Sequence, residues 1–138
     1  MLSSSKISRR EALGRVLAAA VTPLLLGGSR WLPRGTTRHP DPRPGITADR
    51  VLAEARVDAK HRDAYAAARE IPEILDGLYC HCDCADRHSN LRSLLSCYET
   101  DMPMSCGVCS GEARTALRLH KKGKTLDEIR AAIDKQYG

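Results

Sequence analysis

All six cysteines of this 138-residue chain fall between positions 80 and 109. They run as Cys80-His81-Cys82-Asp83-Cys84, then Cys97, then Cys106-Gly107-Val108-Cys109. Sulfur this dense must either pair or converge, and both outcomes restrict the backbone more than any apolar pattern in the chain. The rest of the core is modest. There is no Phe, one Trp and four Tyr, so packing rests on Leu, Ile, Val and Ala. A domain below roughly 80 ordered residues commonly draws on disulfides or a bound metal for stability.

The N-terminus reads as a leader. Ser8-Arg9-Arg10-Glu11-Ala12-Leu13 places a twin arginine before an apolar run from Val16 to Leu26, broken by Pro23 and followed by Gly27-Gly28-Ser29. Residues 1–29 are therefore similar to a twin-arginine export signal, with the twin-arginine export machinery as the expected partner. The run is shorter than the about 20 apolar residues of a membrane span. The expected location is exported, periplasmic or otherwise extracytoplasmic, with a membrane tether if the leader is uncleaved. No cysteine precedes Cys80, so a lipobox anchor is not expected.

Residues 30–46 are rich in Pro, Gly and Arg, which favours extended, solvated backbone, and they read as a linker. His39 is expected at its surface. Of 22 basic and 17 acidic side chains, the leader holds four basic and one acidic, so the remainder is close to neutral. A nucleic-acid partner is not expected, because a basic stripe and stacking aromatics are both missing.

Residues 47–138 predict an all-α fold. Val51, Leu52, Ala55 and Ala59, continuing through Ala66 and Ala67, suggest a helix from 48 to about 69 capped by Thr47. Pro72 suits the first turn of a short helix ending near Gly77. Ser89 with Leu91, Leu94, Leu95 and Tyr98 suggests a helix over about 90–98, and Glu99 to Met104 reads as loop. Ser105 looks like the cap of a helix to Lys122, stopped by Gly123. Thr125 and Glu128 make a capping-box pattern before the stripe Leu126, Ile129, Ile133 and Tyr137. The expected architecture is a small helical domain whose Cys-x-Cys-x-Cys loop packs against a C-terminal helical hairpin.

Three chemistries fit the sulfurs. In the first, Cys80, Cys82, Cys84, Cys97, Cys106 and Cys109 supply thiolates to a soft metal, with His81, His88 or His120 as nitrogen donors and His81 the best placed of the three. Dense Cys-x-Cys spacing leans toward copper or zinc ahead of iron–sulfur. In the second, Cys106 and Cys109, at a helix start that lowers a thiol pKa, form a thiol–disulfide redox pair. No βαβ pattern surrounds them, so the thioredoxin context is missing. In the third, three bridges staple an exported domain. Pairing Cys82 with Cys80 or Cys84 would close a very small ring, so each thiol of the loop is expected to reach elsewhere. No Ser/His/Asp set, phosphate loop or carboxylate pair argues for hydrolysis, which points away from an enzyme.

Residues 70–138 resemble a known family. The run Ile71-Pro72-Glu73-Ile74-Leu75, then Leu78-Tyr79-Cys80-His81-Cys82-Asp83-Cys84, His88, Leu91, Cys97-Tyr98, Cys106-Gly107-Val108-Cys109 and the close Gly123, Glu128-Ile129-Arg130, Ile133-Asp134 and Tyr137 is similar to the CYCXC, or PCYCGC-motif, family of exported bacterial proteins. The chain carries His81 where the family usually has Tyr, Asp83 where it has Gly, and Tyr79 where many members have Pro. The sulfurs are untouched by those changes. Some members are described as selenoproteins, so the resemblance implies a reactive chalcogen and favours metal or redox chemistry over a pure staple. Many members are lipoproteins, whereas this chain carries the twin-arginine pattern.

Overall fold

The computed structural model describes residues 39–88 and 90–138, and among these there are helices, turns and loops but no strand. The leader, most of the linker and the expected cap Ser89 lie outside the described residues. None of the described helices is long and apolar enough to cross a membrane.

The expected helix over 48–69 is broken. Three short 3-10 turns, Ala48–Arg50, Glu54–Arg56 and Ala59–His61, lead into helix α1, Arg62–Glu70. Val51 and Val57 between them are extended, with ψ of 137° and 125°. The reason is burial. Val51, Leu52 and Val57 are inside while Ala55 and Ala59, which completed the helical pattern, are exposed. The Leu52 N–H donates to the Tyr98 carbonyl at 2.9 Å instead of to its own chain segment. Tertiary pairing here outweighs a periodicity resting largely on alanine, whose burial contributes little.

Helix α1 buries Ala64, Tyr65, Ala67 and Ala68 and packs on the later helix α5, Gly107–His120. Tyr65 stands edge-on to Tyr98 with ring centroids 4.9 Å apart, and its hydroxyl donates to the Thr100 carbonyl. Helix α2, Pro72–Asp76, begins with proline as expected. A single turn, α3, covers Cys84–Arg87. Helix α4 covers Leu94–Tyr98 with every residue buried, shorter than the expected 90–98. Ser93 caps it by accepting from the Ser96 N–H.

Met102–Met104 forms a further 3-10 turn within the expected loop, and this turn absorbs Ser105, so Cys106 becomes the N-cap of α5. Gly123, at φ 74°, reverses the chain into α6, Leu126–Tyr137. There the capping box of Thr125 and Glu128 is complete, and Ile129 and Ile133 are fully buried against α5. The described residues are thus all-helical in their regular structure, with the cysteine loop packed against the C-terminal helices.

Residues 39–46 belong to the packed surface of the domain. Their prolines leave carbonyls free, and arginines take them: Arg130 donates to the Pro40 carbonyl at 2.8 Å and Arg92 to that of Asp41 at 2.7 Å. Arg43 meets the fully buried Asp76 through its backbone N–H at 2.7 Å and its guanidinium at 2.7 and 3.1 Å. Arg92 and Ser93 complete the cage around that carboxylate. Burial alone would raise the Asp76 pKa, but the Arg43 and Arg92 contacts bring it down to about 2.

Candidate metal centre

Four elements deliver the sulfurs. Cys80 and Cys82 come from the loop after α2, Cys84 from the first turn of α3, Cys97 from α4, Cys106 from the cap of α5 and Cys109 from its first turn. The loop does not run extended. Asp83 adopts φ 58° and ψ 19°, a left-handed conformation that folds residues 82–84 into a turn. Cys82 and Cys84 are consequently 5.4 Å apart at Cα and bonded at Sγ, with an S–S distance of 2.30 Å. The expectation that the loop cysteines pair only elsewhere is overturned, because a left-handed middle residue brings alternate Cα atoms into disulfide range.

The other four cysteines are free thiols. The sulfurs form two overlapping groups. Cys80, Cys84, Cys97 and Cys109, all buried, have Sγ atoms within 4.8 Å of one another, and so do Cys82, Cys106 and Cys109. Cys80 Sγ lies 3.3 Å from that of Cys109 and 3.2 Å from that of Cys82. Cys82 and Cys109 are 3.6 Å apart. Four thiolates around an ion at about 2.3 Å stand about 3.8 Å from each other. The first group needs only small adjustments to reach that shape.

His81 is not among the donors brought together. Its side chain is turned to the acids: Nδ1 lies 2.6 Å from Glu112 Oε1 and Nε2 lies 3.1 Å from Asp134 Oδ1. Both ring nitrogens are occupied, so the expected role as metal ligand is corrected to one of bracing the loop. His39 is also not at the surface, its side chain being only 4% exposed. The Tyr79 N–H donates to its Nδ1 at 2.8 Å, so the ring proton sits on Nε2 and faces Asp134 at 2.9 Å. His88 and His120 are exposed and outside both sulfur groups.

Burial opposes ionisation throughout the cluster. The Cys80 thiol is pushed up by its contact with Cys109 and by burial, against a lowering contact with Cys97. For Cys109 the contact with Cys80 lowers the pKa, yet Cys97 and burial prevail and the net shift is upward. Cys97 is lowered by Cys109 but pushed up overall by Cys80 and burial. The upward shift at Cys109 runs against the lowering expected at a helix start, the Cys97 contact and burial being the causes that raise it. Metal-free, these groups are neutral thiols.

Glu112 was not singled out by its sequence position. It is fully buried one helical turn after Cys109, and its Oε1 accepts from the His81 N–H at 3.0 Å while Oε2 has no hydrogen-bond partner. Burial pushes its carboxyl above the usual range, against hydrogen bonds from His81 and Cys80 that lower it. The signal for it was a charged residue among small residues on the inward face of α5, three positions beyond a cysteine.

A family model described as a protein of unknown function with a PCYCGC motif matches residues 51–138, more than half of the chain. The chain belongs to this PCYCGC-motif family. The match begins at the first buried residues, Val51 and Leu52, and takes in every sulfur of the cluster, so the family unit and the helical domain largely coincide. No curated protein and no solved structure matches the chain.

Proposed function

We propose that this PCYCGC-motif protein binds a soft metal ion, Cu(I) or Zn(II), in the four-sulfur group Cys80, Cys84, Cys97 and Cys109, as a carrier or buffer outside the cytoplasm. The observation that carries the reading is the convergence of four buried sulfurs from separate helices and loops into one group within 4.8 Å. An all-sulfur donor set selects soft ions over magnesium or calcium. One further feature fits an ion there: the buried Glu112 carboxyl, which interacts with Cys80, has an oxygen without a hydrogen-bond partner. Cys84 joins the set only as a thiolate, so the reading requires the Cys82–Cys84 bond to be reduced. Delivery by the twin-arginine route is part of the proposal, since that route carries folded proteins and suits a centre filled before export.

The test is elemental analysis of full-length protein prepared anaerobically with a phosphine reductant, then offered Zn(II) or Cu(I). At least one tightly held ion per chain is expected, with a loss of roughly tenfold or more in affinity for Cys97→Ser, which removes one of four donors. Reduced, folded protein that retains neither ion would overturn the reading.

The Cys82–Cys84 bond favours a second reading, thiol–disulfide exchange. Cys80 Sγ is 3.2 Å from Cys82 Sγ, close enough for a thiolate to attack the bond once deprotonated. Rapid exchange with a small dithiol by protein that binds no metal would favour it.

A further inference from the structure

Cys109 stands in both sulfur groups. It completes the buried set with Cys80, Cys84 and Cys97, and it also completes the outer set with Cys82 and Cys106, both of which are partly exposed. A thiolate sulfur has lone pairs enough to bridge two ions, and Cys109 Sγ lies 3.3 Å from that of Cys80, in the buried set, and 3.6 Å from that of Cys82, in the outer set. We propose that the six sulfurs form one two-ion thiolate cluster, in which Cys109 bridges an inner four-sulfur position and an outer three-sulfur position. The proposal rests on the soft-metal reading above and extends it to a second ion.

The two positions differ in chemistry. The inner one is closed, as structural thiolate sites are, whereas the outer one has three protein donors and room for a fourth from outside. Its ion is thereby the exchangeable one, open to a small thiol or to a partner's cysteine. The ligand class is a soft closed-shell ion that accepts both three and four sulfurs: Cu(I), Zn(II) or, as a probe, Cd(II).

The Cys82–Cys84 bond acts on both positions at once, because it takes Cys84 from the inner set and Cys82 from the outer one. A dithiol donor reverses this in one two-electron step. The S–S bond breaks, Cys82 and Cys84 each gain a hydrogen from the donor's thiols, and the donor closes its own disulfide. Entering ions then displace the thiol protons to solvent. The cluster is therefore assembled when that bond is reduced, and dismantled when a small disulfide runs the exchange in reverse, taking the two hydrogens of Cys82 and Cys84 as their S–S bond re-forms and its own breaks.

The probe is Cd(II), titrated anaerobically into full-length protein reduced by a phosphine, with native mass spectrometry for stoichiometry and cadmium NMR for connectivity. The expected result is about two ions per reduced chain, with two cadmium resonances coupled through the shared sulfur. Cys106→Ser lies outside the inner set and should lower the count from two to one. Cys82→Ser leaves Cys84 unpaired, so the inner position should fill to about one ion without any reductant, which unreduced wild type should not match. Circular dichroism identifies a variant that fails to fold, and the other variant then decides. One ion in both wild type and Cys106→Ser, or two uncoupled ions, overturns the bridged cluster while leaving the soft-metal reading intact. No ion at all overturns that reading instead.

Discussion

Asp83 is the only described non-glycine residue with positive φ, and its side chain caps nothing. Its conformation is held by the turn around it, at a cost that a residue without Cβ would avoid. Asp83→Gly should change stability by no more than about 1 kcal/mol, since relief of the backbone is offset by a freer unfolded chain. Asp83→Val should cost about 2 kcal/mol, because a β-branched residue resists the left-handed region more strongly. Urea denaturation separates the two, and equal stability of the Gly and Val variants would disprove this account.

Glu112 gives a second residue-scale test. Its pKa is raised from 4.5 by burial, so the folded state holds its proton more tightly than the unfolded state does. The stability it contributes is fully present below about pH 4.5 and declines as pH rises through the raised value. Glu112→Gln keeps the acceptor for the His81 N–H without the titration. Wild type should lose stability relative to Glu112→Gln as pH rises above about 4.5, measured by denaturation across pH, and a constant gap would refute the assignment.

At the scale of elements, the cage around Asp76 ties residues 39–46 to α2 and to the turn before α4. Its carboxyl is depressed from 3.8 to about 2, so its contribution is present above about pH 4 and is lost as pH falls toward 2. Asp76→Ala should destabilise the domain by about 2 kcal/mol at neutral pH and flatten the acid limb of the stability profile. The cost is held down because Arg43 and Arg92 are each more than a third exposed and regain water. Thermal melts at pH 7 and pH 3 would show whether the difference between variant and wild type narrows in acid as expected.

For the whole molecule, the core is built of aliphatic residues with Tyr65 and Tyr98 as its only fully buried rings among the described residues. The sulfur cluster sits inside that core, so a ligand there stabilises the folded chain as a unit. An ion at 100 times its dissociation constant should add about 2.7 kcal/mol to the reduced protein, seen as a rise in Tm that a chelator reverses. In unreduced protein the same addition should move Tm little, because Cys82 and Cys84 are withheld. A Tm insensitive to ion and chelator in reduced protein would place the sulfurs among staples.

The helical character of Arg62–Glu70, Leu94–Tyr98, Gly107–His120 and Leu126–Tyr137, the proline start of α2, the capping box at Thr125 and the turn at Gly123 were all legible in the sequence, because each depends on neighbours within a few positions. So was the gathering of the cysteines, since six sulfurs over so short a span leave few ways to stay apart. What only the tertiary structure decided were contacts between distant segments: Leu52 bonding to Tyr98, His39 and His81 sharing Asp134, Glu112 buried beneath the loop, and the division of the sulfurs into two groups that meet at Cys109. Local pattern reports what a residue prefers; which partner satisfies it depends on packing, where burial and hydrogen bonding exceed the small differences in local propensity.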